Sequence, residues 1–447
     1  MKLSDSRFYR FLTDVVKIAT SRQRLRELWH IPLYSNAFYL MIASMATSLL
    51  SFTFWIIAAR FYSVESVGLA SAAIAAVGLV ATFVHLGLGM GLVRFLPHSG
   101  ENANSMVNTT FTIGILTAIV TAFIFVAGLG FWSPALLFLR QDPIYFAAFI
   151  ILSIVYQVWY LIEHTYIAKR RAGFVTAQSL IFNLLKLPLV ILLAAVFHTF
   201  GIFASWGISL GVAALLGMFL FLPRVQPDYR PFFAVNREVV NVMMRFSFAN
   251  YLSTLFWFAP GMILPIMVVN LLGAEPNAYF YIAWSIGTVL PLIIGAVSTS
   301  LFAEGSYDEE TLEPNTWRTL KIAFIILVPV VILVLAIAPQ LLLLFGGAYS
   351  ENATTLLRIL AISALPTVIN ITYIQVKRVE KKLKVLVGFT AFAAVVSLGL
   401  AYLLLPTIGI NGAGIAWLVT QGILGLVVVA SLLKGRHARK VEPNHEK

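Results

Sequence analysis

The chain has 447 residues, of which 60% are hydrophobic and 11% charged, with a formal charge of +12 and no cysteine. A soluble chain is nearer half apolar and a quarter charged, so the composition excludes a set of soluble domains. The missing cysteine excludes disulfides, thiolate metal sites and cysteine nucleophiles.

Residues 1–31 are polar and basic and lack an apolar core ahead of a small-residue cleavage site, so no cleavable signal peptide is expected. Within them Phe8, Phe11, Leu12, Val15 and Ala19 recur at helical spacing beside Arg7, Arg10 and Lys17. This reads as an amphipathic helix, lying either on the membrane surface or on the protein's own loops. Twelve apolar segments follow, long enough to cross the bilayer, at 36–60, 66–93, 106–131, 143–163, 172–197, 201–222, 242–270, 277–303, 317–339, 354–376, 384–405 and 409–433. Each must be helical, because lipid cannot satisfy a bare backbone. The expected fold class is therefore an all-α polytopic membrane protein of about twelve transmembrane helices.

An even number of spans puts both termini on one side. With the N-terminus taken as cytoplasmic, 26 of the 31 basic residues fall in cytoplasmic segments and only Arg60, Arg140 and Arg358 in outer ones. That bias is the positive-inside rule, and it assigns the net charge to topology instead of to nucleic acid. The expected organisation is a basic N-terminal segment 1–31, an N-lobe 32–222, a cytoplasmic linker 223–241, a C-lobe 242–433 and a basic tail 434–447.

The halves look repeated. At an offset of 210, Arg60 to Glu65 aligns with Asn270 to Glu275, and Arg94-Phe95 with Glu304-Gly305. At 207, Thr165-Tyr166-Ile167 aligns with Thr372-Tyr373-Ile374. Gly201-Ile202 and Gly409-Ile410 open the sixth and twelfth spans alike. Repeats of six spans share one orientation, so the axis relating them runs along the membrane normal.

Enzyme signatures are missing: the spans hold no acidic pair, and there is no HExxH motif or EF-hand-like loop. Neither a cofactor nor a metal site is expected. Gly87-Leu88-Gly89-Met90-Gly91 follows no strand, so it reads as close packing or a flexible helix end, not as a nucleotide loop. Gly207 and Gly211 read as a packing face.

Polar groups at membrane depth carry the functional signal, because ionisable residues there are costly and face a cavity or a partner. Lys186 sits about 14 residues, or about 21 Å, into the fifth span. Thr176, Ser179, Asn183 and Lys186 form one narrow stripe. Lys186 either pairs with a backbone carbonyl or snorkels, or it faces a wet cavity that receives an anionic group. The seventh span carries Ser247, Asn250, Thr254 and Trp257 on one face, with Pro260 and Pro265 as a hinge. The first span carries Ser44, Ser48 and Ser51 at equivalent spacing. These stripes line a shared cleft or bond neighbouring helices. Arg60, Arg94 and Glu304 mark span ends as topology or gate residues. His85 is a proton site or a packing histidine.

Several stretches resemble one family: Ile57-Ala58-Ala59-Arg60-Phe61-Tyr62-Ser63, Glu65-Ser66-Val67-Gly68, Val93-Arg94-Phe95-Leu96-Pro97, Leu301-Phe302-Ala303-Glu304-Gly305 and Gly409-Ile410-Asn411-Gly412. With the twelve spans in two sixes, the chain resembles Wzx-type polysaccharide or oligosaccharide flippases of the multidrug/oligosaccharidyl-lipid/polysaccharide exporter superfamily. The resemblance implies a V-shaped pair of lobes that rock to carry a polyprenyl-diphosphate-linked sugar between leaflets of the plasma membrane, both termini being cytoplasmic. It implies that Lys186, with Arg94 and Arg245, attracts the diphosphate while Ser, Asn and Trp groups bond the sugar. The implied partners are the lipid-linked sugar, membrane lipids and glycan-assembly enzymes, around a monomeric transporter. Two alternatives remain: a cation-coupled drug or metabolite antiporter of the same superfamily, which usually needs a membrane carboxylate, and a membrane sugar polymerase or glycosyltransferase, which needs catalytic carboxylates or a large polar loop.

Overall fold

The computed structural model describes residues 32–195, 197–227, 229–305 and 312–441. Twelve long helices occupy the twelve expected positions: α1 Pro32–Phe61, α2 Val64–Val84, α3 Ala103–Ala127, α4 Pro143–Ala168, α5 Ala172–Ala194, α6 His198–Leu216, α7 Arg237–Leu272, α8 Ala274–Gly305, α9 Leu312–Leu343, α10 Gly347–Val379, α11 Leu383–Ile408 and α12 Asn411–Val441. Ten contain described segments long and apolar enough to cross a membrane. The expected surface helix at residues 8–19 lies outside the described residues.

Local chemistry sets several ends. Ser63 caps α2 by accepting from the Ser66 N–H, and Asp142 caps α4 by accepting from the Ile144 and Tyr145 N–H groups, with Pro143 at the first helical position. The second span is broken. Leu86 (φ 43°) and Gly87 (φ 74°) take left-handed conformations, and the chain resumes as a short helix, Leu88–Phe95. Both readings of the glycine run are met there. Gly87 supplies the break, whereas a Cβ on Gly89 would stand 2.6 Å from the Tyr160 ring and one on Gly91 2.6 Å from Met243 Cε. Of the other glycine pair, Gly207 packs on Leu152, but a Cβ on Gly211 would meet open space.

α5 packs along α1 and α6, and α10 along α9, α8 and α12. The halves meet chiefly where α2 lies against α7 and α8. α2 is accordingly the most enclosed span, built from small side chains such as Ala72, Ala73 and Ala76 that let backbones approach. Large apolar side chains such as Phe131, Leu426 and Val395 point outward, as lipid permits. The expected linker is helical at both ends, from Leu222–Val225 and from Arg237 onward, with an extended segment between.

Candidate functional site

The stripe expected on the fifth span meets the first span. Lys186, 3% exposed, donates from Nζ to Ser51 Oγ at 3.0 Å. Its ammonium lies over the rings of Phe54 (4.9 Å) and Phe182 (4.8 Å), an arrangement in which the ring faces attract the cation. Ser51 Oγ donates in turn to Asn183 Oδ1 at 3.4 Å, and Asn183 Nδ2 donates to the Ser179 carbonyl at 2.8 Å. Ser179 Oγ donates to Glu163 Oε1 of α4 at 3.4 Å. Thr176 Oγ1 donates back to the Ala172 carbonyl. A polar chain therefore runs from a cation on α5, through a hydroxyl on α1, to a carboxylate on α4. In this conformation Lys186 is enclosed between helices and does not line an open cleft.

On α7, Thr254 Oγ1 donates to the Asn250 carbonyl, and Trp257 packs against Trp417 of α12 at 6.4 Å. Trp417 also meets Trp284 of α8 edge-on at 5.3 Å, giving a three-tryptophan cluster. α7 remains one helix through the buried Pro260 and Pro265. Ser44, Arg245, Ser247 and Glu304 lie on described helices, but their side chains are outside the described residues. Ser48 is exposed. Arg94 ends the short helix Leu88–Phe95, exposed and over the Phe95 ring. His85 bonds Gln157 Oε1 at 2.7 Å and stacks on Tyr160 at 3.6 Å, a packed and hydrogen-bonded setting.

At the end away from the termini the halves are tied together. Arg60, closing α1, donates from Nε to the Leu344 carbonyl (2.9 Å) and from Nη2 to the Leu343 carbonyl (2.8 Å). Asn270, near the end of α7, donates to Ser133 Oγ (3.0 Å) and accepts from the Ala135 N–H (3.0 Å). Between them Asn277 of α8 donates to the Gly68 carbonyl and Ser71 Oγ of α2. Of these groups the sequence drew attention to Arg60; Asn270 entered only as its repeat partner. Phe54, Phe182, Trp284, Trp417, Ser133 and Asn277 carried no signal that separates them from ordinary packing residues.

In its fold, a two-part bundle of twelve helices, the chain matches solved membrane transporters. The chain is similar to an inward-facing multidrug resistance MATE family transporter of the MOP superfamily, with TM-score 0.70 and 17% identity over 91% of this chain and 99% of that one. The same family's outward-facing form matches with TM-score 0.63 and 19% identity, covering 93% and 98%. A MOP superfamily transporter from Pyrococcus furiosus, whose binding pocket is described as of reverse polarity, matches with TM-score 0.60 and 16% identity, covering 92% and 96%. The fold is thus the two-lobe, twelve-helix transporter fold of that superfamily. A family model described as "Polysaccharide biosynthesis protein" matches residues 33–302, and the chain belongs to that family. No curated protein matches it in sequence. The fold is that of multi-pass membrane transporters.

Proposed function

We propose that the protein moves a polyprenyl-diphosphate-linked oligosaccharide or polysaccharide repeat unit from the inner to the outer leaflet by alternating access. Membership of the polysaccharide biosynthesis family supports the sugar. The observation that carries the anionic headgroup is Lys186, a cation held inside the N-terminal half with one described hydrogen bond and two aromatic faces around it. A diphosphate cannot cross hydrocarbon unaided, and an ammonium that swings from the Phe54 and Phe182 rings toward it offsets the desolvation of both. The Trp257, Trp284 and Trp417 cluster supplies flat apolar faces for sugar rings in the opposite half. The bonds of Arg60, Asn270 and Asn277 shut the end away from the termini, which suits a state loaded from the inner leaflet.

The test is export in cells that depend on the transporter. Lys186→Ala is expected to abolish surface glycan and accumulate lipid-linked sugar on the inner leaflet while the protein still inserts, and Lys186→Arg to retain part of the activity. Full export by Lys186→Ala rejects the role of the cation.

A second reading, a cation-coupled antiporter, draws on Glu163, a carboxylate near the C-terminal end of α4 bonded to Ser179. On that reading Glu163→Gln abolishes transport of a cationic solute, and sugar export is unaffected by loss of the gene.

A further inference from the structure

The segment between the halves is more than a connector. Gln226 and the stretch from Arg230 to Asn236 lie along the first half of α3, whose polar side chains bond the Gln226 side chain and several backbone groups of that stretch. Gln226 Nε2 donates to Asn104 Oδ1 at 3.0 Å. Asn108 Nδ2 donates to the Arg230 carbonyl at 3.0 Å, and Asn108 Oδ1 accepts from the Phe232 N–H at 3.3 Å. Thr112 Oγ1 accepts from the Ala234 N–H and Thr109 Oγ1 from the Asn236 N–H, each at 3.1 Å. The N–H groups of residues 232, 234 and 236 thus turn toward α3 with the period of two that an extended chain dictates.

The depth of this contact matters. Thr112 lies nine residues beyond the start of α3 at Ala103, about 14 Å along the axis. With α3 centred on a hydrocarbon core of about 30 Å, the segment at Ala234 reaches roughly 10 Å inside it. Non-helical backbone survives at such depth only where protein satisfies it, and Asn108, Thr109 and Thr112 do so for the Arg230 carbonyl and the N–H groups of Phe232, Ala234 and Asn236.

Three apolar side chains of the segment are open: Phe232 is 65% exposed, Phe233 74% and Val235 60%. They stand beside a stripe of α3 that changes character along its length. Asn104, Asn108 and Thr112 continue at four-residue steps into Leu116 and Val120, which are exposed large apolar residues, as is Ile124. The uncovered half of the stripe has the surface of a lipid-facing helix. The polar half, unfit for lipid, is covered by the segment, which presents Phe232, Phe233 and Val235 in its place. Arg224 and Arg237 are exposed at the segment's flanks and Arg230 is exposed within it, and long guanidinium side chains of this kind can reach up to lipid phosphates; Asp228 and Glu238 lie in the same stretch of sequence.

From this placement we infer that residues 229–236 form a lipid-facing strap inserted into the leaflet on the side of the termini, with Phe232, Phe233 and Val235 among acyl chains. Its partner is the bilayer itself, and it shares no residue with the polar chain around Lys186. The inference does not depend on the identity of the substrate.

The full chain offers a direct test because it has no cysteine. Single spin labels are placed at Phe233→Cys and, as an independent second position, Val235→Cys, in protein reconstituted into phospholipid vesicles. Val120→Cys serves as the lipid reference and Glu101→Cys as the water reference. Collisions with oxygen, which partitions into hydrocarbon, and with a water-soluble nickel chelate are compared. The expected oxygen-to-nickel ratio at 233 and 235 is several-fold above the Glu101 value and close to the Val120 value. Adding Asn108→Ala, which removes two of the bonds holding the strap, is expected to shift the 233 label toward the water value. Labels at both positions that meet the nickel chelate as readily as the Glu101 label overturn the inference and assign the strap to a water-filled cleft. A 233 label indifferent to Asn108→Ala overturns the role of α3 in holding it.

Discussion

Arg60 and Asn270 occupy equivalent places at the ends of the first helix of each half, 210 residues apart, and each reaches across to the opposite half. Arg60 bonds the carbonyls of Leu343 and Leu344 after the third helix of the second half. Asn270 bonds Ser133 and Ala135 after the third helix of the first. The acceptors keep the same offset, since Leu343 stands 210 residues beyond Ser133. A pseudo-twofold relation read from loose sequence matches is thus expressed as two reciprocal clasps. The axis passes near the crossing of α2 and α8, where Asn277 bonds Gly68 and Ser71.

If these clasps must part during transport, a covalent tie should stop the cycle. Ser133→Cys with Asn270→Cys is expected to form a disulfide on oxidation, to lose export, and to regain it on reduction. Export that continues in the fully cross-linked protein contradicts a gate at this end.

The α2–α8 crossing permits no added side chain. A Cβ on Gly68 would stand 1.7 Å from the Ala274 carbonyl oxygen, a backbone atom that cannot yield alone. Gly68→Val is therefore expected to hold the halves apart and to lower the yield of the 133–270 cross-link, whereas Gly130→Val, where a Cβ meets open space, leaves the yield unchanged. Equal yields in the two variants contradict the packing described.

The buried ammonium separates stability from transport. Replacing a buried charge with an apolar side chain of similar shape is often neutral or stabilising, so Lys186→Met should keep or raise the thermal midpoint in detergent while abolishing export. Ser51→Ala instead leaves the ammonium without its hydroxyl partner, and a cost of about 1–3 kcal/mol is expected. A Lys186→Met protein that unfolds readily would mark the lysine as structural.

The turn after α10 has its own pH dependence. Partial burial pushes the Glu380 carboxyl up, but its bonds to Lys377 (2.8 Å) and Lys382 (3.0 Å) outweigh this and hold it below the usual carboxylate range. A carboxyl lowered in the folded state contributes stability that is fully present above the ordinary carboxylate range and is lost as pH falls from that range through the lowered folded-state value. Glu380→Gln should remove that part of the acid sensitivity of the thermal midpoint. An unchanged acid limb contradicts the assignment.

Much of this was legible in the sequence. Span positions follow from apolar length, and the Lys186 stripe from a 3.6-residue period joined to the cost of a charge in lipid. The partners of Lys186 were not legible, because Ser51 and Phe54 meet it only through the long-range packing of α1 on α5. In sequence the strap is indistinguishable from a plain linker, since Arg224, Pro227 and Asp228 look like an aqueous connection. The ladder that receives it consists of Asn108, Thr109 and Thr112, which in sequence resemble any polar residues near a helix end. The break at Leu86 and Gly87 was half visible: glycine marked the place, but nothing local indicated that leucine would share the left-handed turn.

The most direct test of the central claim is a flipping measurement with purified protein in vesicles that carry a polyprenyl-diphosphate-linked oligosaccharide, scored by how much of the sugar a membrane-impermeant glycosidase can reach. The account predicts that the wild-type chain moves the sugar from the protected leaflet to the accessible one and that Lys186→Ala does not. Equal accessibility with wild-type protein, with Lys186→Ala and with empty vesicles would contradict it.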